Sequence, residues 1–223
     1  MIIIAIDGLA ATGKGTLAAS LAQRLNFDFL DSGLLYRKLA FLALEKHIPF
    51  DDNKAILRLL NTDDFIDLAN PALRTEKVGQ TASMILSVQP EIRDALNAIM
   101  RRIATAPKNY SGKPPIIKGI VIDGRDIGTV VFPNADCKFF ITADVEVRAK
   151  RRFKQLQTKE KNIIFDQILQ DLNERDKNDK TRKVAPTIPA DDAIIIDTSN
   201  LNAEEVLESV YTKTLNFLKD KLN

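Results

Sequence analysis

The 223-residue sequence predicts an α/β fold, a parallel sheet with helices on both faces. Three observations predict it. Short apolar runs alternate with longer segments of helical period. Two of those runs are apolar at nearly every position, as strands buried on both faces are. The first run leads directly into a glycine-punctuated loop that opens a helix.

The elements follow in order. Ile2-Ile3-Ile4-Ala5-Ile6 is a strand, and Gly8-Leu9-Ala10-Ala11-Thr12-Gly13-Lys14-Gly15-Thr16 is the loop. Leu17, Ala18, Leu21, Ala22 and Leu25 then recur at helical spacing. Residues 27–30 form a short second strand ending at Asp31-Ser32-Gly33. Residues 34–46 read as a helix with Leu35, Leu39, Leu42 and Ala43 on one face, stopped by His47-Ile48-Pro49. Residues 51–118 contain no clear strand. Helical stretches near 53–61, 76–88 and 91–106, separated by Pro71, Pro90 and Pro107, predict a helical insertion over 51–116. Residues 117–122 are apolar enough for a central parallel strand, and 138–142 form another. Helices over 145–157 and 163–177, a strand at 193–196 and a helix over 203–220 complete one domain spanning 1–223.

Composition narrows the function. With 45% hydrophobic residues the chain can bury one sizeable core. The 32 basic and 30 acidic residues leave a net charge of +2, so no field of one sign points to nucleic acid. The single cysteine, Cys137, excludes an intrachain disulfide, and no cysteine–histidine cluster suits zinc, so a reduced, cytoplasmic protein is expected. The first apolar run stops at Asp7-Gly8, too short for a signal peptide or a membrane span, so no membrane association is expected. His47 reads as a capping or surface residue, Cys137 as a small buried side chain, and Phe139 and Phe140 as core.

Polyphosphate is the first ligand the sequence implies. In Gly8, Leu9, Ala10, Ala11, Thr12, Gly13, Lys14, Gly15 and Thr16, glycines let amide hydrogens turn inward, the helix adds its positive end, and Lys14 can reach terminal phosphates. The residue after Lys14 is Gly15 rather than a hydroxyl residue, which leaves open whether Thr16 meets magnesium directly or through water. Asp123-Gly124-Arg125-Asp126 ends an apolar strand where open sheets bind ligands, and Asp123 is the metal-side candidate; a charged turn with a local ion pair is the alternative. Arg37, one turn past Gly33, could clamp an acceptor phosphate; the alternative is a Ser32 helix cap with Arg37 in solvent. Arg148, Arg151 and Arg152 share a helix face and would repel unless an anion or carboxylates lie opposite; a solvated face is the alternative. The densely charged segment 174–182, taken alone, reads as an exposed helix end.

Taken together, these segments resemble the bacterial cytidylate kinases of the nucleoside monophosphate kinase group, P-loop proteins, over almost the entire length. The resemblance rests on the GKGT loop, Leu30-Asp31-Ser32-Gly33 with Tyr36-Arg37, Ala82-Ser83, Pro90-Glu91-Ile92-Arg93, the run from Asp123-Gly124-Arg125-Asp126 to Phe132-Pro133, Glu174-Arg175-Asp176 with Asp179, and Arg182 with Val184-Ala185-Pro186. It implies ATP-dependent phosphorylation of CMP and dCMP by direct transfer, with Mg2+ bridging the ATP phosphates. Lys14 and the loop would hold ATP, and Ser32, Arg37, Arg125 and Arg182 would sit around the acceptor. Ser83, Arg93 and Asp126 match positions that read cytosine, whose amine donates and whose ring nitrogen and carbonyl accept. Arg175 and Asp179 match ribose-binding positions. Arg148, Arg151 and Arg152 match the arm into a mobile lid, here at 155–165. For the metal, Thr16 and Asp123 are the protein candidates. Small nucleotides are the expected partners and a monomer the expected state. Residues 62–82 are shorter than the insertion of many relatives, and Ala11 stands where glycine is frequent. A kinase for UMP, AMP or an alcohol is the nearest rival and should lack the Ser83, Arg93 and Asp126 set. A GTP switch is the rival of another class, and no guanine-reading Asn-Lys-x-Asp occurs.

Overall fold

The computed structural model describes residues 1–62, 65, 67–105, 119–157 and 163–222, with the side chains of 220–222 left aside. Two compact units emerge, Met1–Leu30 with Pro107–Asn223, and Asp31–Ala106. The first carries the sheet. Its strands are β1 (Ile2–Gly8), β2 (Asp28–Asp31, which runs to the unit boundary), β3 (Gly119–Asp123), β4 (Cys137–Thr142) and β5 (Ile194–Asp197). Their order is β2-β3-β1-β4-β5, with β1 parallel to both β3 and β4, and β4 parallel to β5. The central position of β1 explains its composition. Ile4, Ala5 and Ile6 are fully buried, and removing such side chains from water stabilises the fold by about 1.5–3 kcal/mol each for the larger ones.

The helices of this unit are α1 (Lys14–Leu25), α6 (Val145–Gln157), α7 (Phe165–Thr181) and α8 (Ala203–Leu222). Leu17, Ala18, Leu21 and Ala22 of α1 join Ile4, Ile6, Val121, Phe139 and Ile141 of the sheet and Val206 and Val210 of α8 in one core. A second cluster joins Ala10 of the loop to Ala149, Ile168 and Leu172. Helix α7 extends beyond the predicted 163–177, because Asp176 and Asp179 within the charged segment are buried rather than solvated. The reading of 174–182 as an exposed helix end thus holds for Glu174, Lys177, Asn178, Lys180 and Thr181 and is corrected at Asp176 and Asp179. Phe139 and Phe140 are buried as expected, and burial pushes the Cys137 thiol up to about 11, which makes it a poor nucleophile.

The second unit is helical, as the proline spacing implied. It contains α2 (Ser32–Glu45), α3 (Asn53–Arg58), α4 (Glu76–Gln80) and α5 (Pro90–Thr105), and α2 packs against α4 and α5. The helix expected over 76–88 changes at Thr81 into a wider π turn over Thr81–Leu86. Asp31, not Ser32, caps α2 by accepting from the Leu34 amide at 3.3 Å. His47 lies exposed in the turn after α2, with φ 52°. The insertion boundary at 107–116 and the centre of the expected lid, 158–162, fall outside the described residues. Among the described residues no helix is long and apolar enough to cross a membrane.

Candidate active site

The loop after β1 has the backbone that phosphate binding requires. Gly8 has φ 151°, and a Cβ there would lie 2.2 Å from the Ile141 carbonyl oxygen, so the approach of β4 admits only glycine. Gly13, with φ 87°, precedes the first turn of α1. Thr12 Oγ1 donates to the Leu9 carbonyl at 3.1 Å and closes the loop from within. Lys14 is buried at the helix N-terminus; its Nζ lies 3.5 Å from the Leu9 carbonyl and 3.8 Å from Asp123 Oδ1 at the end of β3. The departure at Gly15 now has a physical reason. A Cβ at that position would stand 3.0 Å from Asp123 Oδ2, so the missing side chain leaves room for the carboxylate. Thr16 is exposed on the first turn of α1.

The turn after β3 is tied to β1. The Gly124 amide donates to the Ile6 carbonyl at 3.0 Å, and Arg125 donates through Nη1 to the Gly8 carbonyl at 2.9 Å. Arg125 Nε also donates to Asp179 Oδ2 at 3.2 Å, and the other oxygen of that carboxylate lies 3.9 Å from Arg182 Nη1. Asp179 therefore stands between two guanidiniums, and Arg182 is held further by donating to the Ala185 carbonyl at 2.5 Å. Asp126 is buried at the head of the turn over Ile127–Val131. Arg175, half-buried, precedes Asp176 on α7.

A functional candidate at the end of β1 escaped the sequence reading. Asp7, 5% exposed, accepts from the Ile127 and Gly128 amides at 2.8 and 2.7 Å. Burial pushes its carboxyl up to about 7, although the two amides pull it down and the nearby Asp126 and Asp123 add to the rise. An aspartate placed directly after an all-apolar strand was the available signal, since a buried acid requires partners.

The three arginines of α6 do not converge on one point. Arg148 is 2% exposed; it donates to both oxygens of Asp176, at 3.1 and 2.5 Å, to the Ala143 carbonyl at 2.9 Å and to the Ala10 carbonyl at 3.2 Å. It braces the phosphate loop from below. Arg151 holds Thr198 and the Leu201 carbonyl, while Arg152 reaches Gln155 on its own helix. The carboxylate that the sequence reading allowed opposite this face is Asp176, facing Arg148 alone. Beside Arg151 lies a cavity of ≈ 330 Å³ lined by Thr12, Gly13, Thr16, Ser20, Thr198 and Asn202 among others, with Leu17, Leu201 and Leu207 as apolar wall. Ser20, Thr198 and Asn202 were not foreseen, although the polar run Asp197-Thr198-Ser199-Asn200 after the last predicted strand marks a ligand-side edge.

The helical unit holds the remaining candidates. Arg37 donates through Nη1 to the Leu73 and Thr75 carbonyls at 2.9 and 3.2 Å, and a Cβ on Gly79 would lie 2.5 Å from its Nη2. Its guanidinium lies against bare backbone instead of in solvent. Arg93, buried, donates to the Ser87 carbonyl at 3.0 Å and sits 5.8 Å from the Tyr36 ring centre. Ser87 in turn donates to the Ser83 carbonyl at 2.6 Å, which links Arg93 to Ser83 through one residue. Ser32 is buried at the start of α2.

The crystal structure of an uncharacterized protein from Eubacterium ventriosum ATCC 27560 superposes with a TM-score of 0.52 at 15% identity, covering 96% of this chain and 98% of that one; it speaks to fold alone. The cytidylate kinase of Rickettsia akari (strain Hartford) is 43% identical over 98% of this chain and 92% of its own length. That of Rickettsia canadensis (strain McKiel) is 44% identical over 93% and 89%. The family model described as cytidylate kinase matches residues 4–216. With the loop, the strand-end carboxylates and the arginine set in place over that whole span, the chain belongs to the cytidylate kinase family.

Proposed function

We propose that this protein phosphorylates CMP, and dCMP, with ATP by direct in-line transfer. The observation that carries the reading is the cluster at the carboxyl ends of β1 and β3, in a chain of the cytidylate kinase family: Lys14 beside Asp123, and Arg125 sharing Asp179 with Arg182. A phosphate oxygen of the acceptor attacks the terminal phosphorus of ATP, the bond to ADP breaks, and CDP forms. Such a reaction needs alignment and charge neutralisation more than acid or base groups.

The loop amides and Lys14 are assigned to the ATP phosphates, and the cavity beside Arg151 to the donor nucleoside. Arg125 and Arg182, from the sheet unit, are assigned to the acceptor phosphate, with Asp126 on its base. Arg37 from the helical unit is assigned to the acceptor phosphate as well, and Ser83 and Arg93 to cytosine. An arginine on the transferring group is worth about 10³–10⁵ in rate. Arg148 supports the loop rather than the substrate. Arg175 and Asp179 are kept for the ribose, Asp179 by way of the oxygen it turns toward Arg182.

Mg2+ fits this donor set. Among the described residues no group of three or more metal-binding side chains occurs, whereas one carboxylate, Asp123, and one exposed hydroxyl, Thr16, flank Lys14. Phosphate oxygens would supply most ligands, with Asp123 and Thr16 holding the ion or its waters. The ion would neutralise charge on the phosphates. Steady-state rates with ATP and CMP, dCMP, UMP or AMP test the reading: CMP is expected to be the preferred acceptor. A folded protein that leaves CMP unphosphorylated would refute it.

A further inference from the structure

Three consecutive residues of β1 grip the turn that carries Arg125 and Asp126. The Ile6 carbonyl takes the Gly124 amide, the Asp7 carboxylate takes the amides of Ile127 and Gly128, and the Gly8 carbonyl takes the Arg125 guanidinium. The same strand then continues into the phosphate loop. Between the gripped positions Asp126 adopts φ −147° and ψ 26°, outside helix and strand geometry, and its carbonyl accepts from the Val130 and Val131 amides. That conformation is set by the hydrogen bonds of its own carbonyl and of the positions on either side.

We propose that Asp7 is a positioning residue for the acceptor: by accepting two successive amide hydrogens, its carboxylate fixes Arg125 and Asp126 in register with the strand that enters the phosphate loop. A carboxylate suits this task because it offers an acceptor oxygen to each amide. Asparagine offers one oxygen and turns a donor toward the second amide. Space at Gly128 is tight as well. A Cβ on Gly128 would lie 3.1 Å from Lys138 Cδ and 3.4 Å from Asp7 Oδ2, and Lys138 is itself held by the Pro133 carbonyl and Asp192 at 2.5 and 2.8 Å. The Asp7 carboxylate and the Lys138 stem thus both lie against the turn at Gly128.

The proposal rests on the assignment of Arg125 and Asp126 to the acceptor, and the test separates the two. Kinetics with CMP, UMP and ATP, each with thermal melting, are measured for Asp7→Asn, Gly128→Ala, the pair combined, and Asp126→Ala as reference. Asp7→Asn is expected to raise KM for CMP by about tenfold or more and to narrow the preference for CMP over UMP, while KM for ATP moves by less than about threefold. Gly128→Ala should act in the same direction, and the double variant should lose less than the product of the single effects. A folded Asp7→Asn protein whose two KM values are unchanged, or raised equally, overturns the proposal; so does a drop in melting temperature without the KM split. Should Asp7→Asn fail to fold, an unchanged KM for CMP in Gly128→Ala overturns it instead. If Asp126→Ala leaves CMP kinetics untouched, the acceptor assignment itself falls, and this inference with it.

Discussion

The arginines of the two units are held in different ways. In the sheet unit Arg148 and Arg125 donate to the carboxylates of Asp176 and Asp179. In the helical unit Arg37 donates to the carbonyls of Leu73 and Thr75, and Arg93 to that of Ser87. A carboxylate both orients a guanidinium and cancels its charge. A carbonyl orients it and leaves the charge for an incoming anion. Arg148, which supports the phosphate loop, is therefore neutralised by a buried carboxylate; of the arginines assigned to the acceptor nucleotide, Arg125 and Arg182 share the Asp179 carboxylate, whereas Arg37 and Arg93 are oriented by backbone carbonyls.

The largest expected effect tests the first mode. Arg148→Ala would leave the buried Asp176 without its partner, and a loss of about 3–5 kcal/mol is expected, read from urea midpoints. Replacing both residues should recover part of it, and additive losses would contradict the pairing. Arg37→Ala tests the second mode. Of its two carbonyl acceptors that of exposed Thr75 can turn to water and that of buried Leu73 loses its partner, so stability should fall by no more than about 1–3 kcal/mol while KM for CMP rises about 10–100-fold. Equal damage to stability and to KM would erase the contrast.

Asp7 represents a third mode, a carboxylate held by amides. Its pKa in the folded protein, about 7, lies above the ordinary 3.8. Between those values the folded state holds more of the proton, so this group's contribution to stability is complete below the lower value and is lost as pH rises through about 7. The carboxylates facing it, Asp123 and Asp126, push in the same direction. Asp7→Asn should therefore show a flatter decline in stability from acid to neutral pH than the parent protein, and parallel curves would exclude the titration. The smallest effect belongs to Ala11, whose φ of 58° is left-handed. Ala11→Gly should stabilise by less than about 1 kcal/mol, since relief of the Cβ strain is partly offset by the freedom glycine adds to the unfolded chain. A loss of stability would show that the methyl group packs usefully beside Ala149 in the second core cluster.

Patterns of nearest neighbours in the chain were legible without coordinates. The all-apolar β1, the loop through Lys14 and the apolar run into Asp123 each announce themselves, because strand, turn and helix follow from local spacing. Arg37 and the Asp123-Gly124-Arg125-Asp126 turn stood out at strand ends, with solvent or a local ion pair as the alternatives, while Ser83, Arg93 and the base-reading role of Asp126 came from the resemblance alone, since a guanidinium looks the same in sequence whether it meets solvent, a carbonyl or a carboxylate. Arg148 shows the limit. Its helix face was readable from i, i+3 and i+4 spacing, but Asp176, its partner, lies 28 residues away on another helix.

By itself, then, the chain's order of residues determined the alternation of strands and helices, the phosphate loop and the family. Which carboxylate neutralises which arginine, what fills the space beside Gly15, and how Asp7 reaches across 120 residues to the turn at Ile127 were decided only when the parallel sheet brought β1 beside β3 and β4. The physical reason is the range of the forces. Backbone periodicity is set within a few residues, whereas pairing of buried charge is set by distance in space, which folding alone supplies.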